Sequence, residues 1–130
     1  MQTQTWTVGD CEFTVDTAGP LSGAPVLLLH GFPQSRRMWR RQLEALAAAG
    51  FRGIAPDQRG YSVGARPAAV EAYASELLTG DALALMDYCG ADRFHLVGHD
   101  WGGQLAWLIA AGNPDRVATL TVLSRPHPGA

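Results

Sequence analysis

Arg93-Phe94-His95-Leu96-Val97-Gly98-His99-Asp100-Trp101-Gly102-Gly103 is the stretch on which the fold of this chain turns. Its first five residues are a short apolar run of β-formers. From Trp101 to Gly112, the residues Trp101, Leu105, Leu108 and Ile109 recur at i, i+4, i+7 and i+8, which draws one apolar face of a helix. The segment therefore predicts strand, very tight turn, helix, with Asp100 at the apex. Gly98 and Gly102 stand two residues to either side of it and let strand and helix cross without side chains colliding; Gly103 continues the small surface.

Working outward, the same alternation repeats. Thr3 to Val8 and Cys11 to Asp16 each alternate, and Gly9-Asp10 lies between them, so an antiparallel hairpin is expected at one edge of a sheet. Pro25-Val26-Leu27-Leu28-Leu29-His30 is continuously apolar, the mark of a strand covered on both faces. Ser35 then opens a helix over 36–49, with Trp39, Leu43, Leu46 and Ala47 on its inner face and Gly50 closing it. Arg52 to Asp57 reads as the next strand, and Gln58 to Pro67 as a loop. Val70 to Cys89 has helical period, with Val70, Tyr73, Leu77, Leu78, Ala82, Leu85, Met86 and Cys89 inward and Thr79-Gly80 as its weak point. Val117 to Leu123 is the last strand. Strands alternating with helices imply right-handed crossovers. The expected class is α/β: a three-layer α/β/α sandwich on a mostly parallel sheet with an N-terminal antiparallel hairpin.

Composition narrows the function classes. The 130 residues, 47% hydrophobic, can bury one core. The net charge of −2 argues against a nucleic-acid partner. Lys is absent and Arg carries all the positive charge. Cys11 and Cys89 do not make a disulfide framework. Met1 to Asp10 lacks the charge and apolar core of a signal peptide, and no run approaches a membrane span, so a cytoplasmic chain without a membrane partner is expected.

Gly98-His99-Asp100-Trp101-Gly102 is the nucleophile-elbow pattern Gly-x-Ser-x-Gly with Asp in the Ser position. With His30-Gly31-Phe32-Pro33, Trp39 and Asp57-Gln58-Arg59-Gly60-Tyr61-Ser62, in this order and spacing, it resembles the α/β-hydrolase family, specifically the epoxide-hydrolase and dehalogenase branch with an aspartate nucleophile. The resemblance covers roughly 24–128. It implies a catalytic Asp100 whose carboxylate attacks an electrophilic carbon and forms an ester. Oxyanion donors would be the backbone N–H groups of Phe32 and Trp101, each worth roughly 3–4 kcal/mol in such sites. Pro33 has no N–H to give and stiffens the loop, and Gly31 keeps it small. The expected substrate pocket is His30, Phe32, Trp101 and His127, with His30 mainly structural and His127 at the rim. His95 is expected as a satisfied core histidine, and His99 to point away from Asp100 by strand alternation. Asp57, Arg59 and Tyr61 are expected to be structural, as an ion pair and a turn. No cofactor and no metal is expected.

Within this branch the substrate would be a small hydrophobic epoxide or halide. Phe32 stands where haloalkane dehalogenases carry Asn, and Trp101 where fluoroacetate-type enzymes carry Arg, which favours epoxides. A haloalkane or haloacid dehalogenase, or a non-catalytic fragment, are the alternatives. Family members are about twice as long: a cap domain with tyrosines, then the catalytic acid and histidine, follow the sixth strand. No Asp or Glu follows Asp115 here. Residues 1–130 are therefore expected to be the N-terminal portion of one catalytic domain, without cap or C-terminal part. In that form strand 117–123 would be an exposed edge open to self-association.

Overall fold

The computed structural model describes residues 1–127. Six strands form one sheet in the order β1-β2-β4-β3-β5-β6: β1 Gln2–Val8, β2 Cys11–Ala18, β3 Pro25–Leu29, β4 Arg52–Pro56, β5 Phe94–His99 and β6 Val117–Leu123. The hairpin β1–β2 is antiparallel and joins β4 antiparallel; β4, β3, β5 and β6 run parallel. The predicted class and strand sequence both hold.

The apolar run of β3 divides between two cores, as the pleat requires. Leu27 and Leu29 enter one cluster with Phe13, Ile54, Leu96 and residues of helices α2 (Ser75–Tyr88) and α3 (Trp101–Gly112). Val26 and Leu28 enter the other with Trp39, Ala55 and Leu43 of helix α1 (Arg40–Ala48). Each sheet face thus has its own helical layer. Gly53 makes room on the α1 side: a Cβ there would come within 2.6 Å of Leu43 Cδ2.

Three local expectations need correction. The helix over 36–49 begins as a 3-10 turn, Arg36–Trp39, capped by the Ser35 hydroxyl, before α1 proper. The helix over 70–89 breaks at Ala74, where ψ is 146, and not at Thr79-Gly80. Tertiary hydrogen bonds account for the break: Arg59 donates to the Ala72 carbonyl at 2.9 Å and the Tyr73 hydroxyl to that of Pro67 at 2.8 Å. Val70 and Leu77, assigned inward, are 83% and 44% exposed. The inner face of α3 is also rotated from the predicted one. Leu105, Ala106 and Ile109 are buried with Gly102 and Gly103, while Trp101 and Leu108 are 57% and 36% exposed. The glycines let the start of α3 lie on the strand ends, and that contact, not hydrophobic spacing, sets the face.

Candidate active site

The site is built at the C-terminal ends of β3 and β5. Asp100 ends the strand and starts the helix with φ 55 and ψ −117, a conformation costly for a residue with a side chain. The surroundings hold it there. Its N–H donates to the Leu123 carbonyl at 3.1 Å, and its own carbonyl accepts from the Gln104 N–H at 3.0 Å. At Gly98 and Gly102 any Cβ would strike backbone, that of Gly102 and Gly103 in the first case and that of Leu29 and His30 in the second. At Gly103 a Cβ would meet the side chains of Val122 and Arg125. Strand and helix therefore touch through their main chains, and the Asp100 carboxylate is lifted out instead of capping α3.

The loop after β3 comes to meet it. Gly31 is buried, and a Cβ on it would lie 2.5 Å from Asp100 Cβ and 2.7 Å from the His99 carbonyl oxygen. This approach lets the next amide, that of Phe32, donate to Asp100 Oδ2 at 3.3 Å. The Phe32–Pro33 bond is cis. Hydrogen bonds from the Trp101 amide and then the Phe32 amide hold the Asp100 carboxyl below the usual aspartate range, with smaller help from the charges of His99 and Arg125.

Behind the loop, His30 is 1% exposed. Its Nδ1 lies 3.0 Å from the Gly31 carbonyl, its Nε2 accepts from the Gln58 N–H at 3.1 Å, and its own carbonyl accepts from the Gln58 carboxamide at 2.6 Å. Burial lowers its pKa, the Gly31 bond and the Asp57 charge opposing, so the ring is neutral and serves as a spacer between two loops. Tyr61 packs edge-on against it at 4.6 Å.

Asp57 and Arg59 do not pair with each other. Arg36 bridges Asp57 and Asp16, reaching the latter at 3.0 Å, and its backbone N–H also donates to Asp57 Oδ1 at 2.8 Å. Arg59 is held by Asp81 at 2.7 and 2.8 Å. The partners lie 21 and 22 residues away in sequence, so adjacency in the loop does not set the pairing. His95 is likewise no core residue: it is half-buried and its Nδ1 lies 2.7 Å from Thr119 Oγ1 on the neighbouring strand. His99 Nδ1 is buried and has no hydrogen-bond partner among the described residues.

A cavity of about 260 Å³ opens beside Asp100. Of the pocket residues expected from sequence, His30 and Trp101 line it, together with Gly31, which was expected as structural. The Phe32 side chain does not and is 64% exposed, and the His127 ring packs edge-on against Trp107 at 4.8 Å. The lining that sequence reasoning missed includes Gln58, Tyr73 and Gln104; Tyr61, read as part of a turn, also belongs to it. Gln104 had a legible signal, since it stands one helical turn after Asp100. Burial and the nearby Asp100 charge raise the Tyr61 pKa, which keeps its hydroxyl protonated and able to donate.

Residues 24–130 match the family model described as alpha/beta hydrolase fold. Epoxide hydrolase A of Mycobacterium tuberculosis is 50% identical over 105 residues, covering 80% of this chain and 33% of that protein. Epoxide hydrolase 2 of Siraitia grosvenorii is 44% identical over 111 residues, covering 82% of this chain and 35% of that protein. Epoxide hydrolase A from Mycobacterium thermoresistibile superposes with a TM-score of 0.92 at 39% identity, over 96% of this chain and 39% of that one. An epoxide hydrolase from Vigna radiata gives 0.91 at 36% identity, over 96% and 40%. The chain thus spans about a third of the length of the curated relatives it matches. With its elbow, its strand order and the matched segment in agreement, the chain belongs to the alpha/beta hydrolase fold family.

Proposed function

We propose that residues 1–130 are the N-terminal portion of one hydrolase domain that opens epoxides to diols through an ester on Asp100. The observation that carries this reading is the Phe32 N–H on Asp100 Oδ2. With Oδ2 held by an amide, the other oxygen is free to attack. It displaces the epoxide oxygen from carbon as an alkoxide, which must take a proton from an acid. Water then adds to the ester carbonyl, the negative charge develops on the oxygen that faces the Phe32 and Trp101 amides, and cleavage of the acyl C–O bond releases the diol and restores the carboxylate. Among the described residues no histidine is hydrogen-bonded to Asp100, so the second step needs a base from outside this set.

The likeness to epoxide hydrolases favours epoxides over the other electrophiles of the branch. The Trp101 ring on the cavity wall supports one alternative, a haloalkane or haloacid dehalogenase, since an indole N–H can cradle a departing halide. A non-catalytic fragment is the other. The test is intact-mass and peptide analysis after incubation with a reactive aryl epoxide, and in parallel with an alkyl halide. An adduct on Asp100 from the epoxide, absent in Asp100→Asn before any deamidation, supports the reading. An adduct only from the halide transfers it to the dehalogenase, and labelling of some other residue rejects the nucleophile.

A further inference from the structure

The segment after β6 folds back over the first turn of α3 and brings an arginine to two side chains of the site. Ser124 takes φ 57. The Trp107 indole then donates to the Arg125 carbonyl at 3.3 Å, and Arg125 Cβ lies against the notch left by Gly103. The guanidinium sits 4.9 Å from the Trp101 ring centre, and its Nε donates to Gln104 Oε1 at 3.3 Å. The nearby Arg36 and Arg59 are committed to carboxylates; among the described residues Arg125 is in no such ion pair. Trp101 and Gln104, the two side chains it holds, both line the cavity beside Asp100.

We propose that Gln104, oriented by Arg125, is a specificity-determining residue that donates a hydrogen bond to an oxygen of the substrate. A carboxamide has one acceptor end and one donor end. Arg125 occupies the acceptor end, so the NH₂ is the end left for the cavity, and bonding to a cation polarises the amide and strengthens that donor. Gln104 stands in the first turn of α3, whose N-cap is Asp100, and its N–H bonds the Asp100 carbonyl at 3.0 Å. An acceptor two or three bonds from the attacked carbon therefore fits both. Tyr61, Trp101, Leu78 and Leu105 offer the apolar wall for an aryl group. The substrate class is then an aryl epoxide with an ether or carbonyl oxygen near the ring-opened carbon, in preference to its hydrocarbon isostere. Arg125 is a positioning residue in this arrangement.

The proposal rests on Asp100 being the nucleophile, and the test separates the two. The 130-residue chain is incubated with benzyl glycidyl ether or its all-carbon isostere, phenylpropyl oxirane, and adduct formation on Asp100 is timed by mass spectrometry. Binding of the two corresponding diols, which need no nucleophile, is followed through tryptophan fluorescence. The ether compounds should be preferred by about 3–10-fold in both assays, the range of one net hydrogen bond. In Gln104→Leu each ratio should collapse to about one, in Arg125→Gln it should fall, and Arg125→Lys, which can still donate to Oε1, should restore part of it. Diol discrimination without any Asp100 adduct would reject the nucleophile and keep the subsite. Asp100 adducts with equal rates and equal diol affinities in the unaltered chain would overturn the subsite and keep the nucleophile. A preference that survives in Gln104→Leu would also overturn it.

Discussion

The Phe32 amide donates to Asp100 Oδ2 at 3.3 Å across 68 residues of sequence, and no side chain intervenes, because Gly31 has none. A Cβ at position 31 would fall 2.5 Å from Asp100 Cβ, so the two loops can meet only around this glycine.

Gly31→Ala should therefore move the Phe32 amide off the carboxylate while the chain stays folded. The rate of Asp100 adduct hydrolysis should drop by about 10²–10³-fold, the usual loss for one oxyanion donor. Adduct kinetics checked against an unchanged far-ultraviolet dichroism spectrum decide it. Unchanged kinetics would remove Phe32 from the site.

The pH dependence follows from the same pair. The amides of Trp101 and Phe32 favour the charged form of Asp100 and lower its folded pKa. A depressed carboxyl pKa means that the ionised form persists as the pH falls, and is lost only below the ordinary aspartate value of about 4. The rate of Asp100 labelling should be flat through neutral pH and decline only in that acid range. Gly31→Ala should move the decline upward. A midpoint for the parent chain above the ordinary value would contradict the arrangement.

His30 gives a second titration with the opposite consequence for charge. Burial lowers its folded pKa below the unfolded value of about 6.5. Below that value the unfolded chain binds the proton more readily than the folded one, so stability is full above it and declines as the pH falls toward the folded pKa. NMR titration of the His30 ring should show it neutral when exposed histidines have already protonated. Early protonation would mean that the ring is not sealed between Gly31 and Gln58.

Arg36 bridges Asp16 and Asp57, whose side chains are 6% and 9% exposed. Arg36→Met would leave two buried carboxylates uncompensated. Breaking a buried pair in this way typically costs about 3–5 kcal/mol. Urea unfolding should show a lower midpoint with an unchanged slope. A change under about 1 kcal/mol would show that water reaches the carboxylates.

Among the described residues β6 has a partner only in β5, and Ala118, Thr119, Thr121 and Leu123 along it are exposed. The 130-residue chain should self-associate through this edge, and Thr121→Lys should weaken the association by placing charge there. Sedimentation velocity over a concentration series measures it; a monodisperse monomer at high concentration would rule it out.

What the sequence determined by itself is whatever depends on local spacing. The apolar run 25–30, the alternation of 2–18 and the glycines around Asp100 each constrain a few neighbouring residues, and the strands, the hairpin and the elbow followed from them. Side-chain partners chosen over long distances were decided by the tertiary structure alone. Arg59 took Asp81 over its neighbour Asp57, because packing of the 58–67 loop on α2 brings that carboxylate within reach. The helix over 70–89 broke at Ala74 because Arg59 and Tyr73 bond the flanking segment. Arg125 reached Trp101 and Gln104 because Ser124 turns the chain back over α3. Periodicity records which face of an element is apolar; the distance between groups remote in the chain exists only once the sheet and its two helical layers have closed.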